Sequence, residues 1–248
     1  MRSRSNSFEE GPNPTGRAKA TGVGDGVNPP WRHVAEPLQA PLAWGARLRH
    51  PRPSIQNLLD TLHIHADESC LGNQNQNRSS PGGAGGLVEL WRDGAWRRRD
   101  YWISEPDTTN NRMALRSAIE ALRGPRRRCR IVFTSDSQYL VKGINEWRHG
   151  WKRANWTRKT GAIKNLELWK TLDAELEGRD FTAKWVRGHV GHPENEYVDF
   201  LATRAAAEQT ESDGLVESRF REWLDGQRAK GRYLHYRESE GPTERYGS

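Results

Sequence analysis

The middle of the chain contains several segments in which apolar and polar residues alternate with a period of two. Leu62–Asp67 shows this alternation most clearly and predicts a strand with one apolar face, with Asp67 near its end on the polar face. Leu87–Trp91 and Trp96–Ile103 flank Asp93 and Gly94, a pair that favours a tight β-hairpin turn. Two further strands are predicted at Ile131–Thr134 and Phe181–Trp185.

Helical spacing of apolar residues appears between these strands. Met113, Ala118, Ala121 and Leu122 recur along one stripe, which predicts a helix capped by Asn110 or Asn111 and ended by Gly124-Pro125. Further helices are predicted at Gln138–Trp147, at Ile163–Glu177 and from Pro193 onward. The predicted order is βββαβααβα, an α/β fold with a mixed sheet flanked by helices.

The two ends of the chain differ from this middle part. Residues 1–58 are rich in Gly, Pro, Ser, Asn and Arg and show no sustained period, so we predict a disordered basic tail. Residues 59–209 form the predicted domain, in which the glycine-rich segment Gly72–Gly86 is interpreted as a loop. Residues 210–248 form a C-terminal extension with a short amphipathic helix, which either docks on the domain or contacts a partner.

Composition narrows the classes of function. The chain has 248 residues and a net charge of +7, from 39 Lys and Arg against 32 Asp and Glu, which fits a polyanionic partner. Its two cysteines form neither a CxxC motif nor zinc spacing, so we predict no disulfide and a reducing, cytoplasmic setting. No apolar run is long enough for a membrane span or a signal peptide, and we expect a monomer.

Four sequence motifs, taken in order, resemble the type 1 ribonuclease H (RNase H) family. They are HADESCLGN at His65–Asn73, TTNNRMALRSAIEA at Thr108–Ala121, IVFTSDSQY at Ile131–Tyr139 and WVRGHVGHPENEYVD at Trp185–Asp199. The resemblance covers roughly Leu62–Gln209. It implies the RNase H-like fold with a five-stranded mixed sheet, and an endoribonuclease that cleaves the RNA strand of RNA/DNA hybrids with two Mg²⁺ ions, Mn²⁺ being an alternative.

The resemblance also implies the residues of a metal centre. Three of the family's acidic ligands fall at Asp67, Asp136 and Asp199, and carboxylate oxygens are the ligands that Mg²⁺ prefers. Two such ions about 3.5–4 Å apart activate a water and stabilise the leaving oxygen in phosphodiester hydrolysis. His189 matches the family's mobile histidine, which implies a role in proton transfer or product release.

The fourth acidic position is occupied by Ala114, which has no ligand atom. Three explanations are open: an introduced inactivating change, a subfamily that uses another ligand, or a natural binding module that does not cut. Glu68 is the candidate replacement, although in a regular strand it points to the face opposite Asp67; a bulge could re-aim it. Because Glu68 and Ala114 both depart from the family pattern, we favour a divergent subfamily.

Substrate contacts are implied by the same resemblance. Residues matching those that read the RNA 2′-hydroxyls are Cys70, Asn73, Asn110 and Gln138, and those matching a phosphate pocket on the DNA strand are Thr109, Asn111 and Arg112. Trp147–Lys164 resembles the family's basic protrusion, in which we expect Trp151, Lys152, Arg153 and Lys159 to contact the duplex. The alternative function is a catalytically impaired module that binds RNA/DNA hybrid or double-stranded RNA. Another nuclease of the wider superfamily matches the motifs less well.

Overall fold

The computed structural model describes residues 60–72, 80–125, 129–188 and 191–238. The predicted disordered tail, residues 1–58, lies outside these ranges. Within them, no helix combines the length and the apolar character needed to cross a membrane. Cys70 and Cys129 are both free thiols, in agreement with the predicted absence of a disulfide.

A six-stranded mixed sheet forms the centre of the fold, in the order β5-β4-β1-β2-β3-β6. Strand β1 pairs antiparallel with β2 and parallel with β4, and β4 pairs parallel with β5. The strands are β1 Thr61–Cys70, β2 Ser80–Arg92, β3 Ala95–Thr108, β4 Arg130–Ser135, β5 Asp180–Trp185 and β6 Val216–Glu217. This is the predicted α/β architecture with one strand more than the five expected.

The hairpin predicted at Asp93 and Gly94 joins β2 to β3. Both residues have positive φ angles, 55° for Asp93 and 74° for Gly94, as the two-residue turn of a tight hairpin requires. Trp91 lies opposite Trp96 in the register, so the turn fixes which residues pair along both strands.

The interpretation of Gly72–Gly86 as a loop is wrong for its second half. Residues from Ser80 onward belong to β2, because the glycines there permit close packing against neighbours rather than a turn. A Cβ at Gly83 would overlap backbone atoms of Ala206 and Ala202, and a Cβ at Gly85 would lie 2.8 Å from the Ala202 nitrogen. One helix therefore lies with its backbone almost on the sheet.

The helices are α1 Asn110–Arg123, α2 Gln138–Lys142, α3 Arg148–Arg153, α4 Leu166–Leu176, α5 Pro193–Glu208 and α6 Phe220–Arg228, with a π-helical turn at Gly143–Trp147 between α2 and α3. The predicted cap of α1 at Asn110 or Asn111 is wrong by one residue. Thr109 is the N-cap, and its side chain accepts a hydrogen bond from the Arg112 N–H. The threonine has the extended backbone that an N-cap needs, so the helix begins at Asn110.

Helices cover both faces of the sheet. On one face, Leu62, Ile64 and Ala66 of β1 belong to a buried cluster with residues of α1, α2 and α4. On the other face, Leu87 of β2 packs with α5 and α6. The strand alternation read from the sequence therefore separates two layers, and Asp67 lies on the α5 side.

The C-terminal extension docks on the domain, which was one of the two predicted possibilities. Its segment β6 pairs with Arg99 and Asp100 of β3 and so adds the sixth strand. In α6, Phe220 and Leu224 are fully buried against Tyr197 and its neighbours on α5. A further link is the Tyr197 hydroxyl, which donates to the Asp100 carboxylate at 2.5 Å, while the Arg219 N–H donates to the same oxygen.

Candidate active site

Two parallel strands place the first two carboxylates at one edge of the sheet. The last residue pair between β1 and β4 is His65 with Thr134. Asp67 and Asp136 each lie two residues further along the chain. Because the strands run in the same direction, their carboxyl ends lie side by side, and both aspartates face the same space. The predicted convergence of these two residues is present in the structure.

Glu68 joins them without a bulge. The pairing of β1 with β2 continues in register from Asp67 through Cys70, so the strand is regular at this point. On the other side, pairing with β4 has already ended, which leaves room for neighbouring side chains to bend towards Asp136. Ligand oxygens of Asp67, Glu68 and Asp136 all lie within 4.8 Å of one another. Glu68 therefore reaches this group without the bulge that the sequence suggested as a way to re-aim it.

The pKa values of Asp67 and Glu68 are both raised. Burial, the charge of Asp136 and, more weakly, that of Asp199 raise the pKa of Asp67 to about 8, against a lowering by the Glu68 N–H that donates to its Oδ1 at 2.7 Å. Burial and the charges of Asp67 and Asp136 also raise the pKa of Glu68, while a hydrogen bond with Ser137 lowers it. A bound cation would stabilise the ionised form of these carboxyl groups and so offset the effect of burial and mutual repulsion.

Asp199 lies further out than the other three. It sits on α5, one residue before the exposed Phe200, and it does not belong to the group of oxygens within 4.8 Å. It is still close enough to raise the pKa of Asp67 through its charge. The helix begins at Pro193 after the N-cap His192, as the sequence predicted, and this fixes Asp199 in its second turn.

Ala114 is buried, with 1% of its surface exposed, and belongs to the same apolar cluster as Ala66 and Tyr101. Ala66 and Glu68 lie on one face of β1, because side chains two residues apart share a face. That face is the one that α1 covers, and the Glu68 charge is felt at Tyr101. Glu68 therefore lies on the face of β1 that α1, the helix of Ala114, covers.

The segment after β5 wraps around Asp136. The Trp185 indole Nε1 donates to the backbone carbonyl of Asp136 at 2.9 Å, and the Val186 N–H donates to the Ser135 carbonyl at 3.1 Å. A Cβ at Gly188 would overlap the Asp136 carboxylate. The motif that contains these residues was read from the sequence for His189, whereas Trp185 and Gly188 were missed as neighbours of Asp136. For Gly188, its position directly before His189 in the motif was the available signal.

The predicted phosphate pocket lies at the start of α1. Asn111 is exposed there, and Thr109 serves as the N-cap. Arg112 pairs with Glu105 at 3.1 Å and with Glu167 at 2.7 Å, and the hydrogen bond to Glu167 is the main reason that its pKa is raised. A phosphate that binds Arg112 would therefore have to displace at least one of these two carboxylates.

The other predicted substrate residues that the structure describes lie at the ends of three different elements. Cys70 ends β1, and burial raises the pKa of its thiol to about 11, so it is neutral at physiological pH. Asn110 is the first residue of α1, and Gln138 is exposed at the start of α2. Asn73 and His189 lie outside the described residues.

The predicted basic protrusion is divided between packing and solvent. Trp151 packs edge-on against Trp169 at 5.5 Å, so it belongs partly to the core. Lys152 pairs with Asp173 at 2.8 Å. Arg153 at the end of α3 and Lys159 in the following loop are exposed, and a duplex can reach both side chains.

Comparison with known proteins matches the same part of the chain. The RNase H family model matches residues 60–207. "Ribonuclease H" of Pseudomonas entomophila strain L48 is 45% identical over 152 residues, which are 60% of this chain and 95% of the relative. "Ribonuclease HI" of Neisseria meningitidis serogroup B strain MC58 is 42% identical over 149 residues, 60% of this chain and 97% of the relative.

A solved structure extends the similarity to three dimensions. It is described as "LC9-RNase H1, a type 1 RNase H with the type 2 active-site motif". The two chains share 44% identity and a TM-score of 0.64, and the alignment covers 76% of this chain and 95% of that one.

Proposed function

Because the chain belongs to the RNase H family, we propose that it is an endoribonuclease that cleaves the RNA strand of RNA/DNA hybrids, with Glu68 as an acidic ligand in place of the residue missing at Ala114. The observation that carries this proposal is the convergence of Asp67, Glu68 and Asp136 within 4.8 Å. The relatives named Ribonuclease H support the reaction.

The donor set fits a hard divalent cation. Carboxylate oxygens from Asp67, Glu68 and Asp136 provide the type of ligand that Mg²⁺ takes. We propose Asp199, whose charge raises the pKa of Asp67, as a further ligand. When bound, the metal supplies charge stabilisation for the phosphate and an activated water. We propose Mg²⁺ as the ion, and a monomeric, cytoplasmic enzyme.

The chain's own residues would orient the substrate and hold the ligands. The Glu68 N–H fixes the Asp67 carboxylate, and the Trp185 indole fixes the backbone at Asp136. Arg112 would hold a DNA-strand phosphate once the phosphate replaces Glu167, and Arg153 and Lys159 would add salt-sensitive attraction to the backbone. We also propose that His189 assists proton transfer or product release.

The alternative of a binding module that does not cut has less support. It rested on the missing ligand at Ala114, and Glu68 offers a carboxylate at the same group of oxygens. A solved relative described as a type 1 RNase H with the type 2 active-site motif supports a rearranged site over a lost one.

The test is cleavage of an end-labelled RNA/DNA hybrid with Mg²⁺ or Mn²⁺. The unmodified chain is compared with Glu68→Gln, with Asp136→Asn and with the control Asp225→Asn, which alters an exposed carboxylate on α6. We expect cleavage by the unmodified chain and the control, and a loss on the order of 100-fold or more in both site variants, because a ligand of the charge-stabilising ion is removed. Full activity of Glu68→Gln would reject the role of Glu68.

A further inference from the structure

Trp185 has a large exposed surface beside the carboxylate group. It is the last residue of β5 and pairs with Ser135 in the register, immediately before Asp136. Its indole Nε1 donates to the Asp136 carbonyl at 2.9 Å, yet 47% of the residue is exposed to solvent. The hydrogen bond therefore fixes the ring in one orientation without burying it.

This exposure differs from the packing of other tryptophans in the described part of the chain. Trp169 is fully buried, and Trp151 and Trp156 pack against the main core cluster. A tryptophan normally contributes stability by burying most of its large apolar surface. Trp185 leaves about half of that surface in water, at the edge of the site, which is poor use of the side chain for packing alone.

The neighbouring charges indicate what the ring meets. Lys184 and Arg187 are both exposed on either side of it in the sequence. Cations attract the phosphates of a nucleic-acid strand, and an aromatic face next to them stacks on a base or sugar with little dependence on sequence. A ring already held in place also loses little conformational entropy when it is covered.

We infer that the exposed face of Trp185 contacts the nucleic-acid strand whose phosphate reaches Asp67, Glu68 and Asp136. The inference rests on the proposed function, since it needs a nucleic-acid substrate at that site. It adds a binding residue to the site, and the Asp136 carbonyl is the anchor that aims its ring.

The test measures binding of a fluorescently labelled RNA/DNA hybrid to the full chain, with Ca²⁺ in place of Mg²⁺ to limit hydrolysis. The variants are Trp185→Ala, Trp185→Phe and the control Leu234→Ala, which removes an apolar side chain that is 65% exposed in the C-terminal extension. We expect Trp185→Ala to weaken binding at least about fivefold, as loss of one stacking contact does. Trp185→Phe keeps an aromatic face and should stay within about threefold, and Leu234→Ala should bind normally.

A second measurement covers the case in which Trp185→Ala does not fold. Hybrid is added to the unmodified chain and to Trp185→Phe while tryptophan emission is followed, and we expect a smaller change in the variant, because the contacted indole is gone. Equal emission changes, or binding by folded Trp185→Ala within twofold of the unmodified chain, would overturn the inference.

The proposed catalysis and this contact fail in different ways. If the unmodified chain binds hybrid but does not cut it with Mg²⁺ or Mn²⁺, the catalytic proposal is rejected, while the comparison of Trp185 variants remains valid. If the unmodified chain binds no hybrid at all, both are overturned.

Discussion

Replacement of Phe220 by alanine tests whether the C-terminal extension is part of the folded domain. The ring is fully buried. It contacts the Tyr197 ring edge-on, with centroids 5.3 Å apart, and the Arg98 guanidinium lies 4.7 Å from its centroid. Truncating a buried phenylalanine costs about 3–5 kcal/mol, through lost transfer free energy and the cavity left behind.

That loss is large against the total. A domain of ordinary size unfolds with about 5–15 kcal/mol, so Phe220→Ala should remove about a fifth or more of the free energy of unfolding. In a domain of 150–250 residues, each kcal/mol shifts the melting temperature by about 2–4 °C, which predicts a decrease of roughly 6–20 °C. Thermal and urea unfolding, followed by circular dichroism, measure both quantities.

Leu234→Ala serves as the matched control. Leu234 lies in the same extension but is exposed, so its loss should change the free energy of unfolding by no more than about 0.5 kcal/mol. If Phe220→Ala costs under about 1 kcal/mol, the extension does not share the cooperative unfolding of the domain, and its packing on α5 contributes little. Hydrogen exchange of the amides in α5 would then show no loss of protection.

Three further outcomes follow from the packing and the site. Gly83→Ala should destabilise the domain by about 1–3 kcal/mol or more by thermal unfolding, because its Cβ would overlap the backbone of α5, whereas Gly226→Ala in α6, where nothing lies within 4 Å, should stabilise it by up to about 1 kcal/mol. Tyr197→Phe should cost about 1–3 kcal/mol in urea unfolding, because Asp100 loses a buried hydrogen bond; no change would show that this bond contributes nothing. The pKa of Asp67 is raised from 3.8 to about 8, so between these pH values the folded protein binds more protons than the unfolded chain. Without metal, the free energy of unfolding should therefore decrease as the pH rises from about 4 to about 8. Mg²⁺ should reverse that fall in melting temperature at pH 8 relative to EDTA, and a metal-independent profile would contradict the assignment of the site.

The fold could be predicted from sequence because its signals are local. A few adjacent residues were enough to predict an element in each of three places: the alternation in β1, the Asp93-Gly94 turn and the proline at the start of α5. The glycines of β2 gave the wrong signal, since glycine marks both turns and close packing, and only the position of Ala202 and Ala206 tells which applies. The two-residue strand β6 carries no periodicity at all, so it depends on β3 being present.

The site was predicted in composition but not in geometry. Motif order identified Asp67 and Asp136, and the departures at Glu68 and Ala114 were visible, whereas alternation along a strand argued against Glu68. The strand stays in register there, so Glu68 keeps the face opposite Asp67, but β1 has lost its β4 partner at that point, and side chains from both faces reach the space beside Asp136. The contact of Trp185 with Asp136 joins two strands through a backbone carbonyl, which no pattern of residue types reveals.

The common side of the sheet on which Glu68 and Ala114 lie has a consequence for how such a site evolves. A glutamate at 114 added to the present chain would bring another anion to a group in which the pKa values of Asp67 and Glu68 are already raised, and removal of Glu68 alone would leave the group one proposed ligand short. Each substitution is expected to be harmful without the other, which is sign epistasis between a strand position and a helix position. The intermediates between the two arrangements then have lower activity than either one, so both positions are expected to change together. The residues at positions 68 and 114 should therefore covary among relatives.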